Sequence, residues 1–306
     1  MAHVTGGVGE ASPAPVVSLC RAGRECRRLV AVAAAVAGIA GMAGCGVVST
    51  ALRADPPGVV VDADAVPLHR SRLVLHVARP LAGAAGRPLV VFASGDGGWF
   101  GRAIDMFRAI AAHGYPVVGF SSRAFLHIER PGAGPLDARQ LAADYSAVIA
   151  KARRAGGTGA AAPVILAGWS RGAAFSAIAA TEPGLTGVRG VVAVGLADGE
   201  DLRIDDDASD DGPAEAGGTR VWPWLPYQRL RMPGAPPAAV IQAEHDDYLP
   251  AARARALFGP DAPTRRFWDV PARNHRFDGG RAALSQALGD ALAWVEAAAR
   301  DAGVGE

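Results

Sequence analysis

Val164-Ile165-Leu166-Ala167-Gly168-Trp169-Ser170-Arg171-Gly172-Ala173-Ala174-Phe175 is the stretch whose reading settles the fold. An apolar run of strand length feeds a Gly-x-Ser-x-Gly turn, and an alanine-rich helical pattern starts directly after it and runs to Ala180. The five-residue pattern is short and weak by itself; its strand–turn–helix setting gives it weight. A strand that reverses so sharply into a helix leaves no room for side chains beside the turn. Hence the glycines two residues either side of Ser170 and the alanines that follow. Such a turn pushes the serine hydroxyl out at the end of a sheet. It also sets the Arg171 amide at a helix N-terminus, where it can donate to a developing negative charge.

A serine hydroxyl is a poor nucleophile at neutral pH, so a base and an orienting acid are expected further along the chain. The apolar run Ala239-Val240-Ile241-Gln242-Ala243 ends in Glu244-His245-Asp246-Asp247-Tyr248-Leu249-Pro250. A strand that ends in an acid, with proline four residues on, points to Asp246. Asp247 is the second choice and Glu244 the third. Downstream of these acids His275 is the one histidine, after a strand pattern and before the last helix, where the base belongs. A second donor to the oxyanion is expected from Ser94-Gly95-Asp96-Gly97-Gly98-Trp99, after the apolar run Leu89 to Ala93. Its glycines permit close backbone approach, and the Asp96 amide is the candidate. Trp99 and Trp169 are the aromatic candidates for substrate contact.

Outward from these motifs, strand-length apolar runs alternate with helical patterns. Strands are expected over Leu73 to Ala78, Leu89 to Ala93, Val117 to Phe120, Val164 to Ala167, Val188 to Val194, Ala239 to Ala243 and Arg266 to Val270. Helices are expected over Ala103 to His113, Asp137 to Arg154, Arg171 to Ala180 and Ala282 to Ala299. Nearly all-apolar strands between helices imply a mostly parallel sheet covered on both faces. With the serine turn and the order Ser, Asp, His, this resembles the α/β-hydrolase fold. Ala197 to Pro237 breaks the rhythm with an acidic stretch, Asp201 to Asp211, and a Trp/Pro-rich segment. It lies where this fold inserts a short lid, after the sixth strand.

The first residues read as an address. Arg21 to Arg28 hold four arginines, and the uncharged apolar run Leu29 to Gly44 ends in Met42-Ala43-Gly44-Cys45. A basic then apolar order marks an export signal, and this run is short for a membrane span. Small residues ahead of Cys45 resemble a bacterial lipobox, in which that cysteine is lipidated. Residues 1–45 are thus expected to be a signal segment with its lipobox, 46–57 a tether, and 58–306 the hydrolase domain, exported to the periplasm and held at a membrane. Half the residues are apolar and a fifth charged, a globular balance; the net charge of +1 does not suggest a nucleic-acid partner. Cys20, Cys26 and Cys45 all precede the domain, which excludes a disulfide or thiolate metal site within it. The acidic stretch lacks calcium-loop spacing, so neither a metal nor a cofactor is called for. Nothing in the sequence marks an oligomeric state.

Three motifs together carry a closer resemblance: Ser94 to Trp99 (SGDGGW), Gly168 to Ala173 (GWSRGA) and Asn274-His275-Arg276-Phe277-Asp278-Gly279. Over roughly residues 87 to 298 they resemble the VirJ/AcvB group of exported bacterial hydrolases. SGDGGW is the most specific, because ordinary hydrolases carry a histidine–glycine pair there. The group has G-Y-S-F-G-A at the serine turn and H-H-F-D-G at the base. Here Trp169 and Arg171 stand in place of Tyr and Phe, and Asn274 in place of the first His. The resemblance implies cleavage of aminoacyl-phosphatidylglycerol, a membrane phospholipid esterified with lysine or alanine. A general esterase, or a non-catalytic accessory protein on the same scaffold, are the alternative readings.

Overall fold

The structure, a computed structural model, describes Thr50 and residues 53–68, 71–82, 86–129, 136–203 and 223–303. The expected signal segment, Cys45 and Asp205 to Asp211 lie outside the described residues. Eight strands form one sheet: β1 Val59–Leu68, β2 Ser71–Pro80, β3 Leu89–Ala93, β4 Val117–Phe120, β5 Val164–Trp169, β6 Val188–Val194, β7 Ala238–Ala243 and β8 Arg265–Val270. Their spatial order is β1-β2-β4-β3-β5-β6-β7-β8. β2 is antiparallel to both its neighbours, and every pairing from β4 to β8 is parallel. This is the mostly parallel sheet expected from the alternating runs.

Among the described residues the helices are α1 Arg102–Ala112, α2 Ser122–Glu129, α3 Ala138–Ala155, α4 Arg171–Ala180, α5 Pro226–Leu230, α6 Ala251–Phe258 and α7 Arg281–Asp301. α1 and α7 cover one face, where Ile104, Phe107, Leu288 and Leu292 pack on Val90, Ile165 and Ile241. The other helices cover the opposite face, where Phe125, Tyr145, Phe175 and Phe258 share a core with Val91, Leu166 and Val240. Burial on both faces explains why β3, β4 and β7 carry no exposed residue. Asp137 caps α3, its side chain accepting from the Gln140 amide at 2.8 Å.

The chain leaves β3 for β4 on one side and then crosses to β5 on the other. The loops after β3 and β5 therefore diverge at the carboxyl ends of adjacent strands, the crevice where open α/β sheets bind ligands. Both loops hold expected site residues. Approach between them is very close. A Cβ on Gly172 would sit 2.2 Å from the Ala93 carbonyl oxygen, and one on Gly168 2.1 Å from that of Gly172. Ser170 caps α4 with φ 56° and ψ −125°, a backbone region that costs a non-glycine residue about 1–3 kcal/mol.

The stretch expected to be a tether is partly seated on the domain. Arg108 of α1 donates to the carbonyls of Thr50 at 2.8 Å, Arg53 at 3.1 Å and Ala54, and Arg53 pairs with Asp105. A carbonyl cluster around one buried guanidinium needs a fixed backbone, so Thr50, Arg53 and Ala54 are held against α1.

Gly172→Ala forces backbone away from backbone, and we expect it to destabilise the chain by roughly 3 kcal/mol or more. Gly159→Ala, with nothing within 4 Å of the added carbon, should stay within about 0.5 kcal/mol of the parent. Urea unfolding of the two variants side by side measures this, and equal midpoints would contradict the close approach.

Candidate active site

Asp246 and His275, the two residues expected to work with Ser170, meet. The His275 Nδ1 lies 2.7 Å from Asp246 Oδ2, and both residues are buried, at 8% and 2% exposure. β7 ends three residues before Asp246, and the following turn folds back so that Asp246 Oδ1 accepts from the amides of Tyr248 at 2.9 Å and Leu249 at 3.2 Å. Gln242 on β7 donates from Nε2 to Asp246 Oδ2 at 3.1 Å and to the Leu249 carbonyl at 2.8 Å. One carboxylate thus takes four donors, which fixes its orientation and leaves it the acceptor of the Nδ1 proton. Asp247, Glu244 and His245 are exposed and join none of this. The spacing argument that ranked Asp246 first selects the residue the structure pairs with His275.

His275 sits in a turn built by its neighbours. Asn274 Oδ1 accepts from the amides of Arg276 and Asp278, each at 3.1 Å, and its Nδ2 donates to Asp278 Oδ2 at 3.0 Å. Arg102, first residue of α1, reaches across to the Arg276 carbonyl at 2.6 Å and Asp278 Oδ1 at 3.1 Å. Phe277 is fully buried with φ 57°, so the turn stays strained and is held by its core anchor. The second ring nitrogen, Nε2, is buried with no hydrogen-bond partner. A buried ring nitrogen left without a partner is unusual in a settled core.

The Ser170 turn and that ring both meet the end of β6, and no hydrogen bond joins Ser170 to His275 Nε2. The Ser170 amide donates to the Val194 carbonyl at 2.8 Å, and the next residue, Gly195, lies so near His275 that a Cβ would come within 2.9 Å of Cε1. Trp169 stacks on the imidazole with centroids 5.7 Å apart and donates from Nε1 to the His275 carbonyl at 3.3 Å. Tyr248, an exposed ring, meets the imidazole edge-on at 4.8 Å. Trp169 is half-buried between Gly95 and the histidine.

Trp99 is not at the crevice, and its expected role in substrate contact is corrected. It is 5% exposed, stacked on His76 of β2 at 4.2 Å and 1°, with Phe92 and Phe107 at its edges. Its Nε1 donates to Thr50 Oγ1 at 2.9 Å. Burial pushes the His76 imidazole down to about 3, so it stacks as a neutral ring. The tryptophan of the SGDGGW motif therefore anchors the loop that carries Asp96 to the core. Ser122 fixes the start of that loop, donating from Oγ to the Gly95 carbonyl at 3.0 Å, and Gly95 packs on Ser170. Asp96 itself is exposed.

Arg171 leaves its amide at the first position of α4, where no intrahelical acceptor exists. Its guanidinium gathers three carboxylates: Asp96 at 2.8 Å, Glu200 at 3.4 Å and Asp201 at 3.8 Å. Burial drives the Glu200 carboxyl up to about 7, and Arg171 opposes that rise. Gln242, Arg102 and Glu200 all hold the site, yet none stands out in the sequence. Only Gln242 leaves a trace, as the lone polar residue in an apolar strand.

These elements define the α/β-hydrolase fold, and solved structures agree. A putative dienelactone hydrolase from Klebsiella pneumoniae is similar at TM-score 0.55 and 16% identity, over 78% of this chain and 98% of its own. An α/β serine hydrolase without a lid from Xanthomonas campestris matches at 0.52 and 19%, over 79% and 97%. A thermostable esterase from Pseudomonas putida matches at 0.52 and 18%, over 82% and 89%. Within that class, residues 88–202 match the family described as bacterial virulence protein (VirJ). The match takes in SGDGGW and GWSRGA, two of the three motifs that carried the resemblance. No curated protein matches the chain.

Asp246→Ala strips four donors of their acceptor, and we expect it to cost about 3 kcal/mol in urea unfolding. Asp247→Ala should change stability by less than about 0.5 kcal/mol. The reverse order would contradict the placement of the acid.

Proposed function

We propose that the chain is an exported serine hydrolase that cleaves a carboxylic ester, with Ser170 as nucleophile, His275 as base and Asp246 as the orienting acid. The observation that carries this reading is the His275–Asp246 contact of 2.7 Å, with Nε2 buried and unpartnered beside the strained Ser170 turn. Asp246 accepting at Nδ1 leaves Nε2 as the lone-pair nitrogen, the tautomer a base requires.

In this mechanism Ser170 Oγ attacks the ester carbonyl carbon while its proton passes to His275 Nε2. Asp246 stabilises the imidazolium so formed. The carbonyl oxygen, now negative, accepts from the amides of Arg171 and Asp96, each such donor being worth roughly 10²–10³ in rate. The C–O bond to the alcohol breaks as Nε2 returns its proton to the departing oxygen, leaving an acyl-serine. Water then attacks with the same base and frees the acid. Trp169 stacks on the base.

For the substrate we propose aminoacyl-phosphatidylglycerol, with the enzyme held at the membrane through lipidation of Cys45. The SGDGGW motif and the VirJ match over residues 88–202 support this choice. An anchor suits an enzyme whose substrate stays in a bilayer.

The test uses the chain from Gly46 onward, which keeps Thr50 and Asp55, both bonded to Arg108. Release of lysine from lysyl-phosphatidylglycerol is measured beside hydrolysis of nitrophenyl acetate. We expect rapid lysine release, reduced roughly 10⁴-fold or more by Ser170→Ala and by His275→Ala. Turnover of nitrophenyl acetate alone would leave a general esterase, and silence on both would sink the catalytic reading.

A further inference from the structure

Arg171 occupies an uncommon position: its backbone and its side chain serve the same small volume. The amide is the first of α4, beside Ser170. The side chain, 19% exposed, turns back over the turn and bridges two loops that leave different strands. One is the loop after β3, reached through Asp96 at 2.8 Å. The other is the segment after β6, reached through Glu200 at 3.4 Å, Asp201 at 3.8 Å and the Arg203 carbonyl, to which Arg171 donates at 2.8 Å.

The two loops differ in how else they are held. The segment after β6 has its own frame. Glu200 exchanges backbone hydrogen bonds with Trp224 at 3.0 and 3.1 Å, and its Oε1 accepts from the amides of Asp201 and Leu202. Leu202 is buried, at 1% exposure, and anchors that segment in the core. The loop after β3 is fixed at Gly95 by Ser122 and at Trp99 by its stack on His76. Between those two points stand Asp96, Gly97 and Gly98, a turn closed by the Gly98 amide donating to the Gly95 carbonyl at 3.0 Å, with no side chain of its own packed in the core. Asp96 is exposed, and the ion pair that the described residues give it is with Arg171. Removing the cation would also leave three carboxylates gathered around an empty centre, and their repulsion drives the least anchored one, Asp96, outward.

We propose that Arg171 is the positioning residue of the oxyanion site: its guanidinium pins Asp96 against the fixed segment after β6, so that the Asp96 amide stays aimed at the point that the Arg171 amide already faces. This rests on the reading of Ser170 as nucleophile and extends it to the residue that fixes the geometry of the second donor. The side chain touches no reacting atom. It acts through Asp96, and the phenylalanine that the VirJ/AcvB pattern carries at this position could not.

The experiment measures nitrophenyl acetate hydrolysis by the full chain, by Arg171→Met, Arg171→Lys, Asp96→Asn and the Arg171→Met/Asp96→Asn pair, with Ser170→Ala as control. All backbone amides persist in these variants. Arg171→Met and Asp96→Asn should each lower kcat about 10- to 100-fold with KM within about threefold, since a misaimed donor is felt in the transition state. The pair should be no worse than either alone, because both break one contact. Arg171→Lys should recover part of the loss by keeping the charge. A rise in KM with kcat unchanged, or additive losses in the pair, would overturn the proposal. If Arg171→Met does not fold, Asp96→Asn carries the test, and parent-like kcat there overturns it equally. Activity that survives Ser170→Ala would instead remove the reading of the nucleophile on which the proposal rests, and this outcome is distinct from a failure at Arg171 alone.

Discussion

Backbone packs on backbone where β5 turns into α4, and the rest of the site is arranged around that contact. Gly172 lies against the carbonyl of Ala93, and Gly168 against that of Gly172, at distances that admit no Cβ. The contact locks the end of β5 to the end of β3, the two strands between which the chain changes direction across the sheet. It forces Ser170 into a left-handed backbone conformation and fixes where its hydroxyl emerges. It also brings Gly95, and so the loop bearing Asp96, onto the Cβ of Ser170. Strain of this kind persists only where surrounding structure over-determines it. Here the alanines and Phe175 of α4, fully or almost fully buried, do so.

The other half of the site is held by polar contacts in place of close packing. Asp246 takes four donors, and the His275 turn is shaped by Asn274 and tied to α1 by Arg102. α1 itself begins just after the Asp96 loop, so Arg102 links the His275 turn to that loop. Buried polar networks are stable only when nearly complete. Gln242 Nε2 has both its acceptors, whereas Gln242 Oε1 and His275 Nε2 are buried without a hydrogen-bond partner, and the ring of the latter faces Gly195. The proposed reaction uses the second of these, the His275 nitrogen.

Much of this was legible in the sequence, for physical reasons. β3, β4, β6 and α4 begin and end where the sequence patterns do, the strands because burial on both faces selects mostly apolar residues. The serine turn was legible because its steric demand selects glycine at fixed offsets. Other parts were not. β1, VVVDADAVPL, is a half-buried edge strand interrupted by aspartates and a proline, so its pattern is diluted. α6, AARARALF, buries only Ala251, Ala254 and Phe258, and alanine marks neither face. Trp99 reads as a crevice aromatic from its glycine-rich neighbours, yet its partner is His76 on β2, which no local pattern can announce. The Arg171–Glu200 contact joins residues from successive loops and is equally silent.

The central claim is that Ser170 is an activated nucleophile, and covalent capture tests it most directly. The chain from Gly46 onward is treated with a fluorophosphonate ester, and the modified residue is located by mass spectrometry of the digested protein. The account predicts one adduct per chain, on Ser170, formed far more slowly when His275 is replaced by alanine. No adduct, or one on another residue with Ser170 untouched, would contradict it.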